Sequence, residues 1–188
     1  MTNLAGSMQS SKRLWARAIA ALLQFFLQAP GSGDAGARQA VEAMLKDYDA
    51  VTPKELQLAT QIIALTWSSL ACLGTAASVR ALSAEETQDL RDSVAALNAL
   101  YVKSANALTA RRNERAKTPN APAHESQQWD EGAFQLIINQ AVDKYNTAMA
   151  RRALAISNVK PRVSRAKFPV FCAEQMTSSV LARRSRLH

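Results

Sequence analysis

The chain has 188 residues, 48% of them hydrophobic, with six glycines, six prolines, two cysteines and a formal charge of +8. That length suits a single domain with a buried core, and a composition rich in alanine but poor in β-branched runs excludes a strand-based class in favour of an all-α one. Two cysteines exclude a disulfide framework and point to a reducing compartment.

The charge is segregated along the chain. Residues 1–100 hold eight Lys and Arg against nine Asp and Glu, whereas residues 101–188 hold fifteen against six. Residues 151–188 alone carry nine basic side chains and a single acid, Glu174, so the whole formal excess sits in that stretch. A basic segment attached to a nearly neutral body is the pattern of an arm for polyanions or anionic surfaces, and its bland counterpart is a solvated tail.

The N-terminus is Ser-rich and polar, and no acid precedes Asp34. Residues 14–28, LWARAIAALLQFFLQ, predict a short helix ended by the breaker run Pro30-Gly31-Ser32-Gly33. Lys12, Arg13 and Arg17 followed by the apolar run 18–27 and by Ala35-Gly36-Ala37 have the outline of a targeting segment. Arg17 interrupts that outline and the small-residue site lies well past the apolar run, so a core-facing helix is expected. With Leu14, Trp15, Phe25 and Phe26 it carries more apolar surface than one neighbouring helix need cover, which predicts that this helix or the C-terminal arm reaches onto a neighbouring subunit. A second helix over residues 37–48 places Val41, Met44, Leu45 and Tyr48 at helical spacing.

The organising stretch is residues 56–79, twenty-four positions without one charged side chain. A helix that is apolar nearly all round belongs at the centre of a bundle or inside a membrane. Gln57, Thr60, Gln61, Thr66, Ser68, Ser69, Thr75 and Ser78 read as scattered over every face, and no basic cluster or aromatic belt brackets the ends, which favours a bundle core and no membrane. Thr52, Pro53 and Glu55 supply a capping box at its start. Trp67 and Leu70, three residues apart, are expected to share a buried face.

Ser83 and Glu86 repeat the capping box and open a long helix over residues 84–112, with the seam Leu90, Val94, Leu97, Tyr101, Ser104, Leu108. The two capped helices predict an antiparallel hairpin. Residues 111–128 have no apolar period, two prolines and four basic side chains, and read as an exposed basic loop. A further helix over residues 129–157 buries Phe134, Ile138, Ala141, Tyr145 and Ala148, with Arg151 and Arg152 suited to the helix dipole at its end. Pro161 and Pro169 then forbid a continuous helix, predicting an extended basic arm before a short last helix over residues 170–184.

The expected fold is therefore all-α: about five helices bundled around the central apolar helix in residues 1–157, and an arm in residues 158–188. No Gly-rich phosphate loop, paired metal ligands or nucleophile elbow is present, and neither His124 nor His188 lies near a second metal-type ligand at a useful spacing. Neither an enzyme nor a cofactor is expected.

The expected function is a structural nucleic-acid-binding assembly subunit of coat or nucleocapsid type, contacting phosphates without base specificity. The candidate contacts are Arg111, Arg112, Arg115, Lys117, Arg151, Arg152, Lys160, Arg162, Arg165, Lys167, Arg183, Arg184 and Arg186. Its expected partners are single-stranded nucleic acid, RNA favoured, and copies of itself, in the cytoplasm or within a nucleoprotein assembly. The alternative is a helical adaptor for protein partners, such as a secretion-related scaffold.

Overall fold

The computed structural model describes residues 3–26, 33–78, 82–117 and 128–158. Among these, all regular structure is helical: α1 (Asn3–Phe26), α2 (Asp34–Asp47), α3 (Pro53–Ser78), α4 (Ala84–Lys117) and α5 (Glu131–Asn158). The predicted arm, the helix over 170–184, Cys172, both histidines and the candidates Lys160, Arg162, Arg165, Lys167, Arg183, Arg184 and Arg186 lie outside the described residues.

Both capping boxes form. Glu55 N–H donates to Thr52 Oγ1 at 3.2 Å while Thr52 N–H donates back to Glu55 Oε2 at 3.2 Å. Ser83 N–H donates to Glu86 Oε2 at 2.8 Å and Glu86 N–H to Ser83 Oγ at 3.1 Å. Each satisfies N–H groups that a helix start leaves without an intrahelical partner. Helix α5 is capped differently: Asp130 Oδ1 accepts from Ala133 N–H at 2.9 Å, so the helix begins at Glu131, two residues later than its sequence pattern. Asp49 carries φ 44° just past α2, the left-handed position that commonly closes a helix and that aspartate tolerates.

Helix α3 touches each of the other four helices. Its neighbours are sorted by face. Leu58 and Ile62 pack with Leu108 of α4, and Trp67 meets Phe26 of α1 edge-on, with centroids 4.9 Å apart. Toward α5 runs a polar ladder. Asp130 N–H donates to Gln57 Oε1 at 2.8 Å, Gln61 Nε2 donates to Ala133 O at 3.4 Å, and Ser68 Oγ lies 2.7 Å from Ala141 O. Cys72 Sγ donates to Lys144 O at 3.8 Å and Thr75 Oγ1 to Ala148 O at 3.3 Å. The partners rise together, so α3 and α5 run parallel.

This corrects the sequence reading of the polar residues. Gln57, Gln61, Ser68 and Thr75 are not scattered over every face. With Ala64 and Cys72 they follow spacings of four, three, four, four and three, one stripe on the α5 side. Their burial is tolerable because each reaches a backbone group of α5 or of the residue that caps it, so no hydrogen bond is forfeited on leaving water.

Four further expectations change. Helix α1 begins at Asn3 rather than Leu14, since no proline interrupts residues 3–26. Helix α2 begins at Asp34 rather than Ala37, with Gly33 at its N-cap. Leu70 is 54% exposed rather than core, because α1 covers the Trp67 side of α3 and no described residue covers the adjacent face. Residues 111–117 are the last turns of α4 rather than loop. The seam spacing that runs through Tyr101, Ser104 and Leu108 continues through Arg111 and Arg115, and the protein itself supplies partners for these cations.

The apolar surface of α1 is also largely accounted for. Ala18, Ile19, Leu22 and Phe25 are buried, and Leu14, Trp15 and Phe26 pack partly buried on the same core. Tyr145 of α5 closes the end of α1, its hydroxyl donating to Phe25 O at 3.0 Å with the two rings edge-to-face at 5.1 Å. The segment Pro53–Ala77 is long and apolar enough to cross a membrane by length and composition, and 67% of its most apolar window is buried within the fold.

Candidate nucleic-acid interface

The described candidates divide into two groups at opposite ends of α4. Arg111, Arg112, Arg115 and Lys117 sit on its last turns, where they overhang the start of α3. Arg151 and Arg152 sit near the end of α5, beside the start of α4. With a rise of 1.5 Å per residue, the stretch of α4 from Asp89 to Arg115 separates the two groups by about 40 Å.

Helix geometry places two of the first group, Arg111 and Arg115, on the seam side of α4. Leu90, Leu97 and Ser104 recur every seven residues, as do Val94, Tyr101 and Leu108, and the next positions in these two series are Arg111 and Arg115. Arg115 Nη1 donates to Glu55 Oε2 at 2.6 Å; the carboxylate is only 1% exposed and also accepts from Val51 N–H at 2.8 Å. Glu55 Oε1 is buried without a hydrogen-bond partner among the described residues. Arg112 donates to the carbonyl oxygen of Tyr48, at the C-cap of α2. Arg111 pairs with Glu114 at 3.1 Å. Lys117 is exposed at the end of the helix.

In the second group Arg151 is likewise committed. Its Nη1 donates to Glu86 O at 3.1 Å and its Nη2 lies 3.2 Å from Asp89 Oδ2, tying α5 to the first turns of α4. Arg152 is exposed. Arg17, which broke the targeting pattern, serves a similar purpose: it pairs with Glu131, donates to Gln135 Oε1 at 3.3 Å and lies 5.9 Å over the Phe134 ring.

A groove of about 300 Å³ opens between α4 and α5, lined by Asp89, Asp92 and Ser93 on one wall and Lys144, Thr147 and Arg151 on the other. Walls of both signs do not make an anion trap. Cys72 is buried behind this region, and burial pushes its thiol pKa up, an effect that Lys144 and Arg151 partly offset. A protonated, enclosed thiol is a poor nucleophile. Among the described residues no three His, Cys, Asp or Glu side chains gather as metal ligands.

The inward roles of Arg112, Arg115 and Arg151 were missed in sequence because charge counts carry no information on partners. For Arg115 a signal existed, namely its place in the α4 seam. No protein-family model matches this chain, and neither a curated protein nor a solved structure matches it.

Proposed function

We propose that this chain is a helical-bundle assembly subunit whose basic C-terminal residues bind the phosphate backbone of single-stranded nucleic acid without base specificity. The observation that carries the reading is the distribution of charge. Arg17, Arg38, Arg111, Arg115 and Arg151 of the helical part each pair with a carboxylate of the same part. Residues 159–188, by contrast, hold seven cations against Glu174. The burden of binding thus shifts from the α4 arginines to Lys160, Arg162, Arg165 and Lys167, with Lys117 and Arg152 as exposed supports. No catalytic step or cofactor is assigned, RNA is the favoured ligand, and the setting is the cytoplasm or a nucleoprotein assembly.

Filter binding of a generic single-stranded oligonucleotide at several salt concentrations tests this. For about five phosphate contacts the logarithmic slope of affinity against salt is near −3.5, and Arg162→Gln with Arg165→Gln reduces it by roughly 1.4. A flat salt response removes the assignment. The second reading, a helical adaptor for a protein partner, draws support from Leu70 and Leu73, which stand 54% and 47% exposed on α3.

A further inference from the structure

Met44, Asp47 and Tyr48, at the end of α2, follow spacings of three and one, and Ile63, Thr66 and Trp67 repeat that spacing on α3, so each set shares one face of its helix. The six residues line a cavity of about 130 Å³. Its apolar walls are Met44, Ile63 and the Trp67 indole, which Phe26 holds edge-on with centroids 4.9 Å apart. Thr66 Oγ1 donates to Ile62 O at 2.8 Å and keeps acceptor capacity of its own. The Tyr48 hydroxyl stays uncharged, because burial pushes its pKa up and Tyr101 adds to that, with Arg112 partly opposing. Asp47 is therefore the single formal charge in the described lining.

Asp47 also occupies an unfavourable place in its helix. It is the last residue of α2, where the partial negative charge of the free carbonyl groups repels a carboxylate. Among the described residues no Lys or Arg forms an ion pair with it. Lys46, one position back, is turned by about 100° round the helix, and Arg112 donates instead to the Tyr48 carbonyl. A carboxylate held at the negative end of a helix, beside an apolar cavity and without a cation, leaves a place for one.

We infer that this cavity takes a primary alkylammonium ion, the end group shared by aliphatic diamines and the lysine side chain. The ammonium answers both Asp47 and the negative end of α2, while the methylenes lie among Met44, Ile63 and Trp67, indole being the aromatic system that holds cations best. Size sets the other limit. Drug-sized ligands occupy roughly 300 Å³ or more, so only a chain of a few heavy atoms fits. Asp47 disfavours an anion, and a neutral chain leaves the carboxylate unanswered. The inference is independent of nucleic-acid binding, since none of the six residues is a candidate phosphate contact.

Isothermal titration of the full chain with butylammonium, and with butanol as the neutral chain of equal length, is the test. The ammonium binds saturably in the millimolar range, and butanol binds at least about tenfold more weakly, as the loss of a charge-assisted hydrogen bond requires. Asp47→Asn, at an exposed position, removes that difference and leaves the melting temperature unchanged or higher, because it relieves the helix end. Trp67→Leu weakens the ammonium by about threefold. Equal affinity for butanol and butylammonium overturns the inference, as does ammonium binding that Asp47→Asn leaves unchanged or an absence of saturation in the millimolar range. Putrescine against Nα-acetyl-lysinamide then separates the sources: tighter binding of the first assigns a free diamine, and of the second a lysine side chain, either order supporting the site.

Discussion

Arg115, at the end of α4, donates to the carboxylate of Glu55, in the first turn of α3, at 2.6 Å, and Glu55 is 1% exposed. The same carboxylate oxygen accepts from Val51 N–H and Thr52 N–H. One side chain thus caps α3, fixes the turn that enters it from α2 and anchors the far end of the antiparallel α4. Removing the cation leaves a buried, uncompensated carboxylate. Arg115→Gln is expected to cost about 3 kcal/mol, near the lower end for breaking a buried pair because the arginine is 32% exposed. Urea unfolding measures it. A double variant with Glu55→Gln should be less destabilised than the sum of the singles.

The same pairing makes a prediction for ligand binding. Arg115 and Arg151 are held by protein carboxylates, so Arg115→Gln and Arg151→Gln should leave the salt slope for single-stranded nucleic acid unchanged, whereas neutralising a phosphate-binding cation in residues 158–188 changes it by about 0.7. Filter binding of folded variants reads both. An equal drop for Arg151→Gln would mean that its bond to Asp89 yields to phosphate.

Leu65 and Leu70 stand on the same charge-free helix with opposite fates, 0% and 54% exposed. Leu65→Ala should cost about 2–5 kcal/mol as a buried truncation. Leu70→Ala in the monomer should stay within about 0.5 kcal/mol. Unfolding midpoints of the two variants at low protein concentration check the contrast.

Ser68 Oγ lies 2.8 Å from Ala64 O and 2.7 Å from Ala141 O, which fixes how closely α3 and α5 approach. Ser68→Ala should cost about 1 kcal/mol, the net value of one hydrogen bond. Ser68→Leu should cost about 1–3 kcal/mol by overpacking the contact. Thermal unfolding ranks them, and equal losses would remove the close-contact argument.

Glu86 is held below its ordinary value of 4.5 chiefly by the bond from the Ser83 backbone N–H, then by the Ser83 hydroxyl. A depressed carboxylate contributes stability that is fully present above its unfolded value and is lost as pH falls through the lower folded value. The stability difference between wild type and Glu86→Gln should therefore hold above about pH 5 and vanish under more acid conditions. Chemical denaturation at stepped pH follows it.

Much of the helical layout was legible in the sequence, because it rests on local chemistry. Thr52 with Glu55 and Ser83 with Glu86 specify two helix starts within four residues each, and the stripe Phe134, Ile138, Ala141, Tyr145, Ala148 is buried as its spacing requires. The charge-free run of residues 56–79 marked the helix that touches each of the other four. What the tertiary structure decided was which face of that helix meets which neighbour. Gln57, Gln61, Ser68 and Thr75 became the α5 contact only because α5 presents backbone groups at matching heights. Leu70 was left outside because covering a residue is a property of its neighbours, not of its own side chain. Arg112, Arg115 and Arg151 acquired partners within the fold for the same reason. A cation in a sequence has a charge, but its partner is chosen by distance, and the distance from Arg115 to Glu55 is created only when α4 folds back along α3.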